Sequence, residues 1–122
     1  MYEIVVTGSF SSAHNLREYK GKCEAVHGHN WKVKVIIMSE ELNSEGMVID
    51  FNLAKKYLNN ILKKLDHKYI NEIEPFDKIN PTSENIAKFI FQEMSQMIEG
   101  NLKVKKVTVW ETETSSASYY ET

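Results

Sequence analysis

The chain has 122 residues, of which 42% are hydrophobic and 26% charged, with one cysteine and four histidines. A chain of this length can bury about two-thirds of its unfolded surface around one core, so we expect a single domain over residues 1–122. Fifteen basic against 17 acidic residues give a net charge of -2, which disfavours nucleic acid and anionic membranes as partners. With no signal-peptide pattern and no apolar run near the roughly 20 residues that span a bilayer, the sequence predicts a cytoplasmic protein.

The first part of the chain predicts two strands and a hairpin. Apolar and polar residues alternate over residues 2–12 and again over 30–38, which is the period of half-buried strands. A polar loop over residues 17–22 connects them, and a polar segment after residue 38 leads to Met47-Val48-Ile49, which we expect to return as a hairpin strand. The core-facing positions of the two strands are Tyr2, Ile4, Val6, Phe10, Trp31, Val33, Val35 and Ile37.

Two amphipathic helices are predicted next. Asp50 is a candidate N-cap for apolar residues that recur at three- and four-residue spacings over 51–65. Thr82, directly after Pro81, is the candidate cap of a second helix that stops at Gly100. Each helix has one apolar face and therefore needs a surface to cover.

The last part of the chain predicts two more strands, over residues 103–111 and 117–120. Strands at both ends and two consecutive helices between them are typical of an α+β fold. We therefore expect a four-stranded antiparallel sheet with both helices packed on one face.

The histidines form the most informative cluster. His27 and His29 flank Gly28 before the second strand, and His14 follows the first strand. If residues 27–29 are extended, the two imidazoles share a face with Cα atoms about 6 to 7 Å apart, from which both reach one metal ion. With His14 as a third ligand, the set has the open position of a catalytic zinc site. Taken alone, His27 and His29 are equally explained as hydrogen-bonded loop histidines.

Three further positions suggest chemistry. Cys23 is either a small buried packing residue or a working thiol, since a thiol beside a cation can act as a general base. Glu111, at the end of a strand, is either a solvated edge residue or an acceptor for the N–H groups of a substrate. Sequence spacing does not choose between these alternatives.

Asp66 and His67 are expected to end the first helix. The helix dipole favours a histidine in that last turn but disfavours a carboxylate. Asp66 therefore needs a second reason to be there, such as orienting an imidazole in an Asp-His pair.

The segment from Cys23 to Asn30, CEAVHGHN, resembles the CxxxHGHN motif of the 6-pyruvoyltetrahydropterin synthase family, which includes 6-carboxytetrahydropterin synthases. Five further segments resemble family segments in the family order, and together they cover most of the chain. They are FSSAH at 10–14, GMVIDF at 46–51, LDH at 65–67, PTSEN at 81–85 and WET at 110–112.

The resemblance implies a site and an assembly. It implies the tunnelling fold, in which sheets of several subunits join into a barrel, and a homohexamer of two stacked trimers with active sites between subunits. The implied roles are zinc binding by His14, His27 and His29, proton transfer by Cys23, Asp66 and His67, and pterin-ring binding by Glu111 with help from Thr82.

The implied reaction is the zinc-dependent conversion of 7,8-dihydroneopterin triphosphate to 6-carboxy-5,6,7,8-tetrahydropterin, acetaldehyde and triphosphate, a lyase step toward 7-deazapurines such as queuosine. The short chain and the four-residue spacing from Cys23 to His27 favour this branch over 6-pyruvoyltetrahydropterin synthase activity. Glu24 has two interpretations: an exposed loop carboxylate, or a feature of a folate branch that releases 6-hydroxymethyl-7,8-dihydropterin. A metal-binding oligomerisation module and a zinc hydrolase using Glu24 or Glu111 are the remaining alternatives.

Overall fold

The computed structural model describes residues 1–122. The elements are β1 (Tyr2–His14), β2 (His27–Ser39), α1 (Phe51–Leu62), α2 (Ser83–Met97), β3 (Lys103–Thr112) and β4 (Ser115–Tyr119). A short 3-10 turn, Ile70–Glu72, lies between the helices. The strands form one four-stranded antiparallel sheet in the order β1-β2-β3-β4, which confirms the predicted α+β class. Neither helix combines the length and the apolar character that a membrane crossing requires.

The strands β1 and β2 pair along their whole length, with Tyr2 opposite Ser39 and His14 opposite His27. Both strands are longer than predicted and include the histidines, so these residues belong to the sheet rather than to a loop. Because the pairing is antiparallel, the end of β1, the start of β2 and the end of β3 lie together. We call this part of the sheet the histidine end.

Both helices cover one face of the sheet and enclose a core of 23 buried hydrophobic residues. Trp31, Val33, Val35 and Ile37 of β2 are fully buried, which confirms the face predicted for that strand. The helix α1 packs closely on β1: a Cβ added at Gly8 would lie 2.8 Å from Cδ1 of Leu62. Strand and helix therefore meet where β1 has no side chain.

The helix caps are confirmed and both helix ends are corrected, since α2 ends at Met97, before the predicted Gly100. Asp50 accepts a hydrogen bond from the Asn52 N–H at 2.7 Å, and Thr82 accepts one from the Asn85 N–H at 3.1 Å. The helix α1 ends at Leu62, short of the predicted 65, although Leu65 still reaches the core from the following turn.

The predicted hairpin strand at residues 47–49 is wrong. The central strand β2 already has β1 on one side and β3 on the other, so no edge remains for a hairpin partner. The segment forms a turn instead, and Asn43 Oδ1 accepts hydrogen bonds from the N–H groups of Glu45 and Met47. Val48 and Ile49 are buried without belonging to a strand.

Candidate metal centre

Four metal-ligating side chains converge at the histidine end of the sheet: His14, His27, His29 and Glu111. Their ligand atoms all lie within 4.8 Å of one another. His14 and His27 are opposite each other in the register, His29 is two residues further along the same face of β2, and Glu111 comes from β3. The structure thus brings the three predicted histidines together and adds a carboxylate.

Backbone carbonyls determine which nitrogen of two imidazoles carries the proton. His14 Nδ1 lies 2.8 Å from the Pro81 carbonyl oxygen, and His27 Nδ1 lies 2.9 Å from that of Ala25. A carbonyl oxygen only accepts, so Nδ1 is the donor, and in the neutral ring Nε2 is the nitrogen that keeps its lone pair. Metal-binding histidines are commonly held in this way, with the second nitrogen donating to a carbonyl.

Two of the imidazole nitrogens are buried without a hydrogen-bond partner: Nε2 of His14 and Nε2 of His29. Glu111 Oε1 is 2.8 Å from His29 Nε2 and 3.5 Å from His14 Nε2, but the geometry makes no hydrogen bond. A buried, unpaired polar group costs about 1 to 3 kcal/mol, so each one needs an explanation. Imidazole and carboxylate donors suit a divalent ion such as zinc, and a bound ion would satisfy both nitrogens.

The surroundings keep His29 in its neutral form. Burial lowers the pKa of His29; the Glu111 carboxylate opposes this effect, and the neighbouring His14 and His27 add to it. A neutral imidazole is the form that binds a metal. Trp31, fully buried, packs edge-on against the rings of His14 and His29 at centroid distances of 4.8 and 5.3 Å. This packing holds both rings in place from the core side.

Asp66 and His67 form a pair along the outer edge of β1. The Ser11 N–H donates to Asp66 Oδ1 at 2.9 Å, and His67 Nδ1 lies 2.9 Å from Asp66 Oδ2. These two hydrogen bonds lower the pKa of Asp66, the one from Ser11 most. The chain then follows the edge, with the His67 N–H donating to the Ser11 carbonyl at 2.6 Å and the Ala13 N–H to the Lys68 carbonyl at 3.0 Å.

The expectation that Asp66 and His67 end the first helix is therefore wrong. They lie in turns beyond Leu62, where His67 adopts a positive φ of 55°. The expected contact between the carboxylate and the imidazole is present, but its neighbours are β1 backbone groups rather than a helix terminus. Neither residue makes a hydrogen bond or ion pair with the four-residue cluster.

Cys23 is exposed and is not part of the cluster, so its interpretation as a buried packing residue is wrong. The neighbouring Glu24 is half-buried: its Oε1 accepts a hydrogen bond from the Leu16 N–H at 3.1 Å and lies 3.7 Å from His27 Nδ1. Its interpretation as an exposed loop carboxylate is also wrong. Thr82 directly follows Pro81, whose carbonyl oxygen accepts from His14. The hydroxyl of Thr82 caps α2.

Arg17 supports the centre in a way that sequence reasoning missed. Its backbone N–H donates to Asn80 Oδ1 at 2.8 Å, and the Asn80 side chain donates back to its carbonyl at 3.0 Å, so Arg17 is tied to the segment that ends at Pro81. Its guanidinium donates to backbone carbonyls only, and no spacing pattern reveals such partners. The three acceptors are the carbonyls of Asn71 at 3.1 Å, Phe76 at 2.7 Å and Ile79 at 3.2 Å.

This fold and donor set define a class: α+β proteins with a candidate metal centre of histidines at one end of an antiparallel sheet. The sequence pattern of the family described as 6-pyruvoyl tetrahydropterin synthase matches residues 3–122. The chain belongs to that family.

Relatives and a solved structure agree with this membership. A Synechocystis protein named 6-carboxy-5,6,7,8-tetrahydropterin synthase is 37% identical, over 98% of this chain and 94% of that protein. A Pyrococcus furiosus protein named dihydroneopterin monophosphate aldolase is 33% identical, over 88% of each chain. The structure of Caenorhabditis elegans 6-pyruvoyl tetrahydropterin synthase superposes with a TM-score of 0.84 at 27% identity, covering 99% of this chain and 96% of that one.

Proposed function

We propose that residues 1–122 form one 6-carboxy-5,6,7,8-tetrahydropterin synthase domain. The enzyme is a lyase that converts 7,8-dihydroneopterin triphosphate to 6-carboxy-5,6,7,8-tetrahydropterin, acetaldehyde and triphosphate, a step in the biosynthesis of 7-deazapurines such as queuosine. The observation that carries the proposal is the convergence of His14, His27 and His29, two of them with their lone pairs directed by backbone carbonyls. The Synechocystis relative of the same name, similar over almost the whole chain, supports it.

The proposed metal ion is zinc, held by His14, His27 and His29. When bound, it supplies Lewis-acid polarisation of the oxygens on the substrate side chain. The residues fit such an ion because Nε2 of His14 and of His29 are buried, unpaired and close to each other. The hydrogen bonds to the carbonyls of Pro81 and Ala25 orient the rings of His14 and His27 so that Nε2 of each is available to an ion.

Proton transfer is assigned to Cys23, Asp66 and His67. Cys23, as its thiolate, takes a proton from a carbon of the substrate side chain, and His67 returns or relays protons. Asp66, whose pKa is lowered further by its hydrogen bonds to Ser11 and His67, accepts from His67 Nδ1, and this leaves Nε2 of that exposed ring to exchange protons. The Ser11 N–H fixes the other carboxylate oxygen of Asp66, so the imidazole is held by an oriented acceptor.

Glu111 is assigned to the pterin ring. A carboxylate can accept two hydrogen bonds from the amide and amino groups of the ring and so fix the position of the side chain. Thr82 helps to hold the ring, since its hydroxyl can donate while it accepts from the Asn85 N–H.

The active site is proposed to lie between subunits of a homohexamer built from two stacked trimers. The depression of about 280 Å³ beside His29 is lined by Ser11, Ser12, Gly28 and Asn30 and does not include His14, His27 or Glu111, so it is not a substrate pocket at the metal centre. His67 is exposed, Asp66 is half-buried, and neither belongs to the cluster, so a neighbouring copy can bring its own pair to it. The free outer edge of β4 and the mostly free edge of β1 allow sheets to join into a barrel.

An exposed catalytic thiol requires a reducing compartment, so we extend the proposal to the cytoplasm.

A second candidate function is a folate-branch synthase that releases 6-hydroxymethyl-7,8-dihydropterin with Glu24 as the base. The observation that favours it is the position of Glu24, half-buried and 3.7 Å from His27. The Pyrococcus furiosus relative named as an aldolase adds support. The Leu16 N–H already occupies Oε1 of Glu24, so a role as base would fall to Oε2.

The test is turnover of 7,8-dihydroneopterin triphosphate by the zinc-loaded protein, with the pterin product identified by mass spectrometry. A carboxytetrahydropterin product that falls at least about 100-fold in Cys23→Ala and persists in Glu24→Gln supports the proposal. Hydroxymethyldihydropterin that persists in Cys23→Ala and disappears in Glu24→Gln supports the folate branch. Absence of any pterin product in all three proteins would leave the metal-binding module as the better description.

A further inference from the structure

Glu111 lies closer to the metal-ligating nitrogens than a contact with the substrate ring requires. Its Oε1 is 2.8 Å from His29 Nε2 and 3.5 Å from His14 Nε2. Donors placed about 2.1 Å from one tetrahedral zinc ion lie about 3.4 Å from each other. The separation from His14 Nε2 is close to that value and the one from His29 Nε2 is shorter, so the carboxylate oxygen lies within reach of an ion bound by both nitrogens.

The electrostatics of the cluster support the same conclusion. The Pro81 carbonyl holds a proton of His14 on Nδ1, so in the neutral ring the Nε2 lone pair faces a carboxylate oxygen 3.5 Å away. The side chain of His14 is only 2% exposed and its Nε2 is buried without a hydrogen-bond partner. Two facing acceptors repel each other unless a cation lies between them, and a metal ion bound by both removes the repulsion.

We propose that Glu111 is the fourth ligand of the metal centre in the substrate-free protein, and that an incoming pterin ring takes this carboxylate from the metal. The second part rests on the function proposed above, which assigns the same carboxylate to the ring. The Glu111 side chain is 35% exposed, so it has room to turn toward a ligand on the solvent side. The coordination position needed for the substrate side chain then opens only when the ring is bound.

The first experiment measures Zn²⁺ affinity by competition with a chromophoric chelator, without any pterin. Wild type is compared with Glu111→Gln and with Glu113→Gln, which removes the same charge from an exposed turn two residues away. We expect Glu111→Gln to weaken binding by at least about tenfold, since even changes behind the ligands cost that much. Equal affinities in all three proteins, with unchanged circular dichroism, would overturn the ligand role.

The second experiment loads the protein with Co²⁺ and records its visible absorption as pterin is added, using the ring without a side chain. This probe has no side-chain oxygens to bind the metal, so a change in the spectrum reports loss of the carboxylate. We expect pterin to change the visible spectrum of the Co²⁺-loaded wild type. The spectrum of Co²⁺-loaded Glu111→Gln without pterin should already resemble that of the pterin-bound wild type. Pterin that binds by fluorescence but leaves the spectrum unchanged overturns the exchange. If pterin does not bind at all, the exchange and the pterin function both fail, while the Zn²⁺ titration still decides the ligand role.

Discussion

Replacing Arg17 by methionine should destabilise the protein through a loop that lies outside the sheet. The guanidinium donates three hydrogen bonds to backbone carbonyls of residues 71–79, all in the segment between the two helices. Hydrogen bonds from charged donors contribute about 1.5 to 3 kcal/mol each, and a half-buried side chain shares them with water, so we take about 1 kcal/mol for each. The expected loss is about 3 kcal/mol, or about 12 °C in Tm at roughly 2.1 cal/mol/K per residue.

Urea unfolding of the metal-free protein measures this loss, at one protein concentration because association of subunits would shift the midpoint. Arg17→Lys should lose about 2 kcal/mol, because an ammonium cannot reach three separate carbonyls at once. Lys22→Met, in the same loop and exposed, should change the stability by less than about 0.5 kcal/mol. An Arg17→Met variant within 0.5 kcal/mol of wild type, or equal to Lys22→Met, would refute the reasoning.

Three further results are expected. Gly8→Val should cost about 1 to 3 kcal/mol in urea unfolding because its side chain meets Leu62, whereas Thr7→Val on the exposed face should be neutral; equal effects would contradict the close packing of α1 on β1. Asp66→Asn should be less stable than wild type at pH 7, because a carboxylate with a lowered pKa stabilises the fold at pH values above that pKa. The difference in stability should disappear as the pH falls from about 4 through the lowered pKa of Asp66, and a difference that persists at pH 2 would count against this. Removing the metal with a chelator should leave the far-UV circular dichroism unchanged because the 23-residue hydrophobic core does not include the histidines, and unfolding would favour a metal-dependent module instead.

The sheet and the cluster could be predicted because their signals are periodic. Alternation along β2 placed Trp31 and Val33 on the buried face, where they have no exposure. The two-residue spacing of His27 and His29 put both rings on that same face, and the pairing with β1 brought His14 opposite His27. Local spacing is sufficient for ligands on one strand, such as His27 and His29, and antiparallel pairing adds His14.

The features that could not be predicted depend on which of several available partners a strand or side chain pairs with. The segment 47–49 has the composition of a strand, but both sides of β2 are already paired, and this depends on β3 far along the chain. Asp66 finds its partner in the backbone of Ser11, and a backbone N–H has no sequence signature. Arg17 is similar, since its acceptors are carbonyl groups that every residue carries.

The cluster at the histidine end joins β1 to β3, which lie at opposite ends of the chain. Contacts with such large sequence separation form slowly, because a long loop must close before they contribute any stability. The full donor set is therefore complete only after β3 has paired with β2, so capacity to bind metal tightly would mark the end of folding rather than guide its start. A slip of one residue between β1 and β2 would also turn His27 and His29 to the opposite face of the sheet.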